Sequence, residues 1–179
     1  MTFQFTPTGT HAAAIHVPCI EDARADFAPH YRSRKTVIQV QAEVTAEMGK
    51  LGGGVIAFDE GYFGTGDQKR YGYILRFVYG GAEGVIRVAG LPMKGRETDA
   101  KIKQVRLQAL LNVRDWLKAA VTSQVFSPGS EPLIGHLLVP GTAKTVADHI
   151  TEQGSLPRIN PSPERALGDG AIEGEFTES

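Results

Sequence analysis

The sequence is poor in cysteine, in long hydrophobic runs and in net charge. Cys19 is the single cysteine among 179 residues, which excludes an internal disulfide and any zinc site built from several thiolates. No hydrophobic run approaches the roughly 20 residues that a membrane-spanning helix needs. The first residues also lack a basic start followed by an apolar stretch, so we expect no secretory signal, no membrane contact and a cytoplasmic protein.

The charges nearly cancel over the whole chain. Lys and Arg number 19 and Asp and Glu number 20, for a formal charge of -1, which excludes a uniformly basic nucleic-acid coat. Their distribution is uneven. Between Lys94 and Lys118 seven basic residues face three acidic ones, whereas the last eleven residues hold four acids and no base. The small net charge therefore conceals a basic segment and an acidic C-terminal segment.

Proline and glycine divide the chain into three parts. Residues 1–34 have no sustained hydrophobic period, and we expect an irregular N-terminal arm. Residues 35–154 hold the periodic patterns and predict a single domain. Residues 155–179 are rich in proline and glycine and poor in apolar side chains, so we expect a disordered acidic tail.

Hydrophobic spacing within this domain predicts an α+β fold. The predicted elements are a helix over 35–51, strands over 55–58, 71–79 and 84–91, a long helix over 98–121, and a small C-terminal helical annex ending with a helix over 145–153. We expect a three-stranded antiparallel sheet with the preceding helix and the long following helix packed on one face, in the order α-β-β-β-α. Residues 35–45 also alternate as a strand would, so helix and strand both stay open there, although the longer helical period favours a helix.

A hairpin between the second and third strands is predicted by the glycine-rich segment Gly80–Glu83. With a turn centred in that segment, Arg76 lies directly opposite Arg87 on the face of the sheet turned away from the helices. Two guanidinium groups so placed suit phosphate geometry, which predicts an anion site. The alternative is that both extend into solvent or pair with Asp59 or Glu60.

The long helix carries basic residues on one flank when its side chains are projected at 100° per residue. Such a flank can contact nucleic-acid phosphates without reading base sequence, or it can simply be solvated. Two more basic residues precede the second strand, and two lie on the sheet. The predicted nucleic-acid-binding or anion-binding residues are Lys69, Arg70, Arg76, Arg87, Lys103, Arg106, Arg114 and Lys118.

The predicted order of elements resembles that of double-stranded-RNA-binding domains, and three strands followed by a helix resemble the core of recombination annealing proteins. The resemblance is topological and covers about half of the chain. The loop over 61–70 has no Gly-Pro-x-His, and residues 100–103 do not match the paired lysines expected at such a helix start. The resemblance therefore assigns no role to any residue here.

No group of residues points to a named reaction. The five histidines show no metal-ligand spacing with each other or with the cysteine. The glycine-rich segments 52–54 and 64–70 lack the spacing of a phosphate-binding loop. We therefore expect a non-enzymatic protein, without metal, cofactor or catalytic residues, that associates with DNA or RNA through the phosphate backbone.

Two other functions stay open. The chain could be an assembly or adaptor module, either as a homo-oligomer through the sheet or through a protein partner that binds residues 169–179. The sheet residues that would suit such an interface are Ile74, Val78, Val85 and Ala89. The same acidic residues 169–179 could instead compete with nucleic acid. The second alternative is an enzyme whose site is assembled from loops.

Overall fold

The structure, a computed structural model, describes residues 17–23, 29–66, 69–127 and 129–153. Its helices and strands are α1 (Val37–Lys50), β1 (Gly53–Phe63), β2 (Arg70–Tyr79), β3 (Ala82–Ala89), α2 (Asp99–Phe126) and α3 (Val146–Gln153), with short 3-10 turns at Ile20–Asp22 and Ile134–His136. The predicted α+β fold is confirmed. The expected disordered tail and much of the expected irregular arm lie outside the described residues.

Helix α1 begins at a capping box. The hydroxyl of Thr36 accepts a hydrogen bond from the backbone N–H of Gln39 at 3.3 Å, and the Gln39 side chain accepts one from the Thr36 N–H at 3.0 Å. These two bonds satisfy amide groups that an isolated helix end leaves unpaired. Val40, Val44 and Met48 then recur every four residues and are fully buried. The helical interpretation of this segment is therefore correct.

Strand β1 is longer than predicted. The sequence predicts a short strand over 55–58 and a polar loop over 61–70. Instead, β1 continues to Phe63, and its residues 60–63 pair with residues 70–73 in the first half of β2. The ring of Tyr62 meets that of Tyr71 edge to face, with 6.1 Å between centroids. Cross-strand aromatic pairs stabilise antiparallel strands, and this pairing outweighs the polar and glycine-rich composition that predicted a loop.

The β2–β3 turn contains two residues, Gly80–Gly81, both with positive φ (56° and 80°). Two-residue turns of this kind match the twist of the flanking strands and favour glycine. The predicted register is wrong by two residues, because Arg76 pairs with Val85 and Arg87 pairs with Ile74. A shift of two preserves the faces of both strands. The two arginines therefore share a face, but they are diagonal neighbours and not directly opposed.

The core lies between the helices and one face of the antiparallel sheet, whose strand order is β1-β2-β3. The buried residues of that face are Tyr73, Leu75, Phe77 and Ile86. Helix α2 supplies Leu110 and Leu117, each nearly inaccessible to solvent. At about 25 cal/mol per Å² of buried apolar surface, this layer is the main stabilising contribution to the fold.

Helix α2 begins after Thr98, whose hydroxyl accepts from the N–H of Lys101. It runs to Phe126, five residues beyond the predicted end. The last turn leaves the core, since Val125 is 71% exposed and Phe126 is 82% exposed. No helix in the described part of the chain is both long and apolar enough to cross a membrane.

The C-terminal annex is packed into the core and is not an appendage. Leu133, Leu137 and Val146 are buried in the same cluster as the sheet residues. Leu137 forms an antiparallel bridge with Gly84, and the N–H of Leu138 donates to the carbonyl of Glu83 at 2.8 Å. The annex thus lies along the outer edge of β3.

We predict that Gly84→Ala destabilises the protein by about 1–3 kcal/mol, the cost of overpacking a filled core. Gly84 lies opposite Phe77, and a Cβ there would lie 2.3 Å from the Phe77 ring. The control is Gly49→Ala in α1, where a Cβ meets nothing within 4 Å and a gain of up to about 1 kcal/mol is expected. Urea unfolding measures both variants. Equal stabilities would contradict the tight packing of Phe77 on Gly84.

Candidate anion-binding cleft

The two sheet arginines are neutralised by acids from other elements. Arg76 pairs with Asp59 of β1, with its Nε 2.8 Å from the carboxylate. Arg87 pairs with Asp148 of α3 at 2.9 Å and also donates to the carbonyl of Ala143. The alternative that such arginines pair with a neighbouring strand is thus confirmed for Arg76. The structure does not bring the two guanidinium groups together around one anion.

The predicted basic flank of α2 is split by the packing of α1. The Arg114 side chain is only 9% exposed and lies 2.9 Å from Glu43 of α1 and 2.6 Å from Asp115. Lys118 is exposed, but it lies fifteen residues beyond Lys103, or about 22 Å along a helix at 1.5 Å per residue. The four residues of the flank therefore do not form one continuous surface.

The two basic residues before and at the start of β2 have local partners. The Lys69 ammonium lies 4.7 Å and 4.6 Å from the ring centroids of Tyr62 and Tyr71, and 3.3 Å from the Glu97 carboxylate. The contact with Tyr71, with the nearby Glu97, raises the pKa of Lys69. Arg70 donates to the backbone carbonyl of Gly90 at 2.9 Å. Both side chains therefore bind residues of the sheet or of the segment that follows it.

Lys103 and Arg106, the remaining predicted residues, line a cleft of about 530 Å³. One wall is the segment 33–37, which leads into α1, and the other is formed by residues 100–107 of α2. Glu60 of β1 and Tyr73 of β2 complete the lining. The cleft therefore lies where the first helix, the long helix and the sheet meet.

Glu60 links β1, β2 and α2 at this cleft. Its carboxylate accepts hydrogen bonds from the Tyr73 hydroxyl at 3.1 Å and from Arg106 at 2.7 Å. Burial, together with the charge of Glu60, raises the pKa of Tyr73 well above its ordinary value, so the phenol remains a donor. The Arg106 Nε is buried and has no acceptor among the described residues. Because that atom is inaccessible to solvent, the hydrogen bond to Glu60 is the described contact that orients the Arg106 guanidinium.

The cleft is strongly cationic. Its lining holds four basic side chains, Arg34, Lys35, Lys103 and Arg106, against the single carboxylate of Glu60. Arg34 and Lys103 are exposed, and no carboxylate of the described residues lies within 4.0 Å of either. Arg106 keeps its ion pair with Glu60. Of the four cations, Arg34 and Lys103 thus have no ion pair among the described residues, whereas Lys35 pairs with Glu43 and Arg106 with Glu60.

Arg34 and Lys35 were not among the predicted site residues. Arg34 falls in the predicted irregular arm, and Lys35 falls at the predicted start of the domain. A signal was present, because three basic residues within four positions precede the capping box that begins at Thr36. A basic run that ends at a fixed helix start has a defined position relative to the core, unlike one in an irregular arm.

Asp59, Glu60 and His136 do not converge on one site. Asp59 and Glu60 point to opposite faces of the sheet and pair with Arg76 and Arg106, respectively. His136 packs edge to face on Trp116, with centroids 5.1 Å apart, and burial lowers its pKa. Across the described ranges no group of three or more His, Cys, Asp or Glu residues is arranged to hold a metal ion.

We predict that Arg114→Met destabilises the protein by about 1–2 kcal/mol at neutral pH, because it removes the half of each site that Arg114 supplies and leaves Glu43 with Lys35 and Asp115 with His30. The control, Arg76→Met, removes an exposed ion pair with Asp59 and should cost less than about 0.5 kcal/mol. Urea unfolding at several pH values measures both. Equal losses at neutral pH would contradict a structural role for Arg114.

The cost of Arg114→Met should shrink in acid. Hydrogen bonds from Lys35 and Arg114 lower the pKa of Glu43. Burial raises the pKa of Asp115, but hydrogen bonds from His30 and Arg114 outweigh it and lower that pKa as well. Carboxyl groups with lowered pKa values stabilise the fold above their unfolded pKa, and this contribution disappears as the pH falls through the folded values. The difference between the two proteins should therefore narrow from about pH 5 to pH 3.

No protein-family model matches this chain, and neither the curated proteins nor the solved structures gave a significant match.

Proposed function

We propose that the protein is a non-enzymatic nucleic-acid-associated protein that binds the phosphate backbone at this cleft. The observation that carries the proposal is the position of Arg34 and Lys103, two exposed cations from separate elements that line one cleft with Arg106. Lysine offers a compact charge, and arginine offers a planar fork that fits two phosphate oxygens. Both contact phosphate without selecting a base, so binding is expected to be independent of sequence.

The arrangement favours one compact contact over a broad basic surface. Arg76, Arg87 and Arg114 are already paired with acids, and separating those pairs would offset the gain from a new phosphate contact. Among the described residues, Lys103 and Arg34 have no such pair to separate. The affinity should therefore depend mainly on the few cations at the cleft, and its salt dependence should correspond to about two or three phosphate contacts.

We predict that Lys103→Glu weakens binding of a fluorescent single-stranded oligonucleotide by about tenfold at low salt. It should also reduce the slope of log affinity against log salt by about one phosphate contact. The matched control is Lys118→Glu, which makes the same charge change on the same helix at an exposed position about 22 Å away. Fluorescence anisotropy at two salt concentrations measures both variants.

Equal weakening by Lys103→Glu and Lys118→Glu would show that overall charge, and not the cleft, drives binding. Failure of the unaltered protein to bind DNA or RNA at low salt would exclude the proposed function altogether. Arg34→Glu provides a second test from the opposite wall of the cleft. It should reproduce the effect of Lys103→Glu if the two residues act on the same ligand.

A second candidate function is self-association through the face of the sheet away from the helices. Val78 on this face is 38% exposed, and Ile56 at the β1 bulge is 53% exposed. If two copies pack through this face, Val78→Lys should shift a dimer to monomer, as light scattering over a range of concentrations would show. A monomer at every concentration, in native protein and variant alike, would exclude this function.

A further inference from the structure

We propose that the cleft admits a single nucleotide unit, with its phosphate at the cationic rim and its sugar and base between the two walls. This inference rests on the proposed function and adds to it the form of the ligand. It predicts a preference for single-stranded or terminal nucleotides, because the bases of an intact duplex are stacked and paired and cannot enter a cleft.

The size of the cleft supports a ligand larger than a phosphate group. Its volume of about 530 Å³ lies within the range of roughly 300–1,000 Å³ that is usual for small-molecule pockets. A backbone phosphate contacted at a flat protein surface needs no cleft of this volume. The cleft therefore offers room for the parts of a nucleotide that a duplex hides.

The lining of the cleft combines charged and apolar side chains. Arg34 and Lys103 supply exposed positive charge, whereas Val37 and Leu107 supply partly or fully buried apolar surface. A nucleotide has the same division, with a charged phosphate at one end and a planar, largely apolar ring at the other. The face of a base can pack against apolar side chains without selecting one base over another.

The polar groups of the lining also complement a nucleotide. Glu60 retains acceptor capacity after its bonds to Tyr73 and Arg106, so it can accept from a sugar hydroxyl or from an amino group of a base. Inorganic phosphate alone would use the cations but would leave the apolar walls and the Glu60 acceptor unused.

The test uses the full chain and three probes: adenosine monophosphate, inorganic phosphate and a fluorescent dodecanucleotide, the last both as a single strand and as a duplex. We expect the single strand to bind about tenfold more tightly than the duplex at equal salt. Adenosine monophosphate should displace the single strand at a concentration at least about tenfold lower than inorganic phosphate requires. Fluorescence anisotropy reports all of these displacements.

The occluding variant is Ala100→Trp, which places a bulky ring at an exposed position of the cleft wall near the start of α2. Its matched control is Ala119→Trp, an exposed position on the same helix that is not part of the cleft lining. Ala100→Trp should abolish displacement by adenosine monophosphate and remove the preference for single strands, whereas Ala119→Trp should leave both unchanged. Circular dichroism of both variants verifies that they fold.

The outcomes separate this inference from the function on which it rests. Equal binding of single strand and duplex, unchanged by Ala100→Trp but weakened by Lys103→Glu, would overturn the nucleotide cleft and retain backbone binding. Displacement by inorganic phosphate as effective as by adenosine monophosphate would also overturn it. No oligonucleotide binding at low salt, with adenosine monophosphate still bound, would exclude the nucleic-acid function while retaining a nucleotide site.

Discussion

The carboxylate of Glu60 holds together the three elements on which the cleft depends. It extends from β1 and accepts hydrogen bonds from the Tyr73 hydroxyl on β2 and from the Arg106 guanidinium on α2. Tyr73 is fully buried, so its hydroxyl needs an acceptor inside the fold. The register of β1 on β2, which sets Glu60 opposite Tyr73, thereby positions the side chain that orients Arg106. The shape of the core and the charge of the cleft are thus coupled through one residue.

The distribution of ion pairs explains why a basic segment does not produce a basic surface. Most of the predicted basic residues meet acids from distant parts of the chain, as Arg114 meets Glu43 and Arg87 meets Asp148. Such pairs link α1 to α2 and β3 to α3, so they serve the arrangement of elements. Among the described residues, some exposed cations have no carboxylate within 4.0 Å, because the segments that approach them bring no acid to that distance. Arg34 and Lys103 at the cleft are such cations.

Local patterns predicted the helices and the face assignments of the sheet. Two signals are local: the repeat of Val40, Val44 and Met48, and the glycines after Tyr79. The first predicts a helix and the second predicts a hairpin, and the structure contains both. The exact register depends on the number of turn residues, which composition alone leaves open between two and four. The pairing partner of each arginine depends on contacts between residues up to 71 positions apart. Such contacts have no periodic signature, so the cleft was predicted only in part, through Lys103 and Arg106.

The two edges of the sheet differ in what covers them, and this difference bears on aggregation. The annex bonds to β3 through Leu137 and Leu138, whereas in the described part of the chain β1 pairs with β2 alone. An open strand edge invites a further strand from another molecule. Here β1 carries a bulge at Ile56, which interrupts the regular spacing of the backbone groups along that edge. The bulge thus makes the open edge a poorer template for edge-to-edge aggregation.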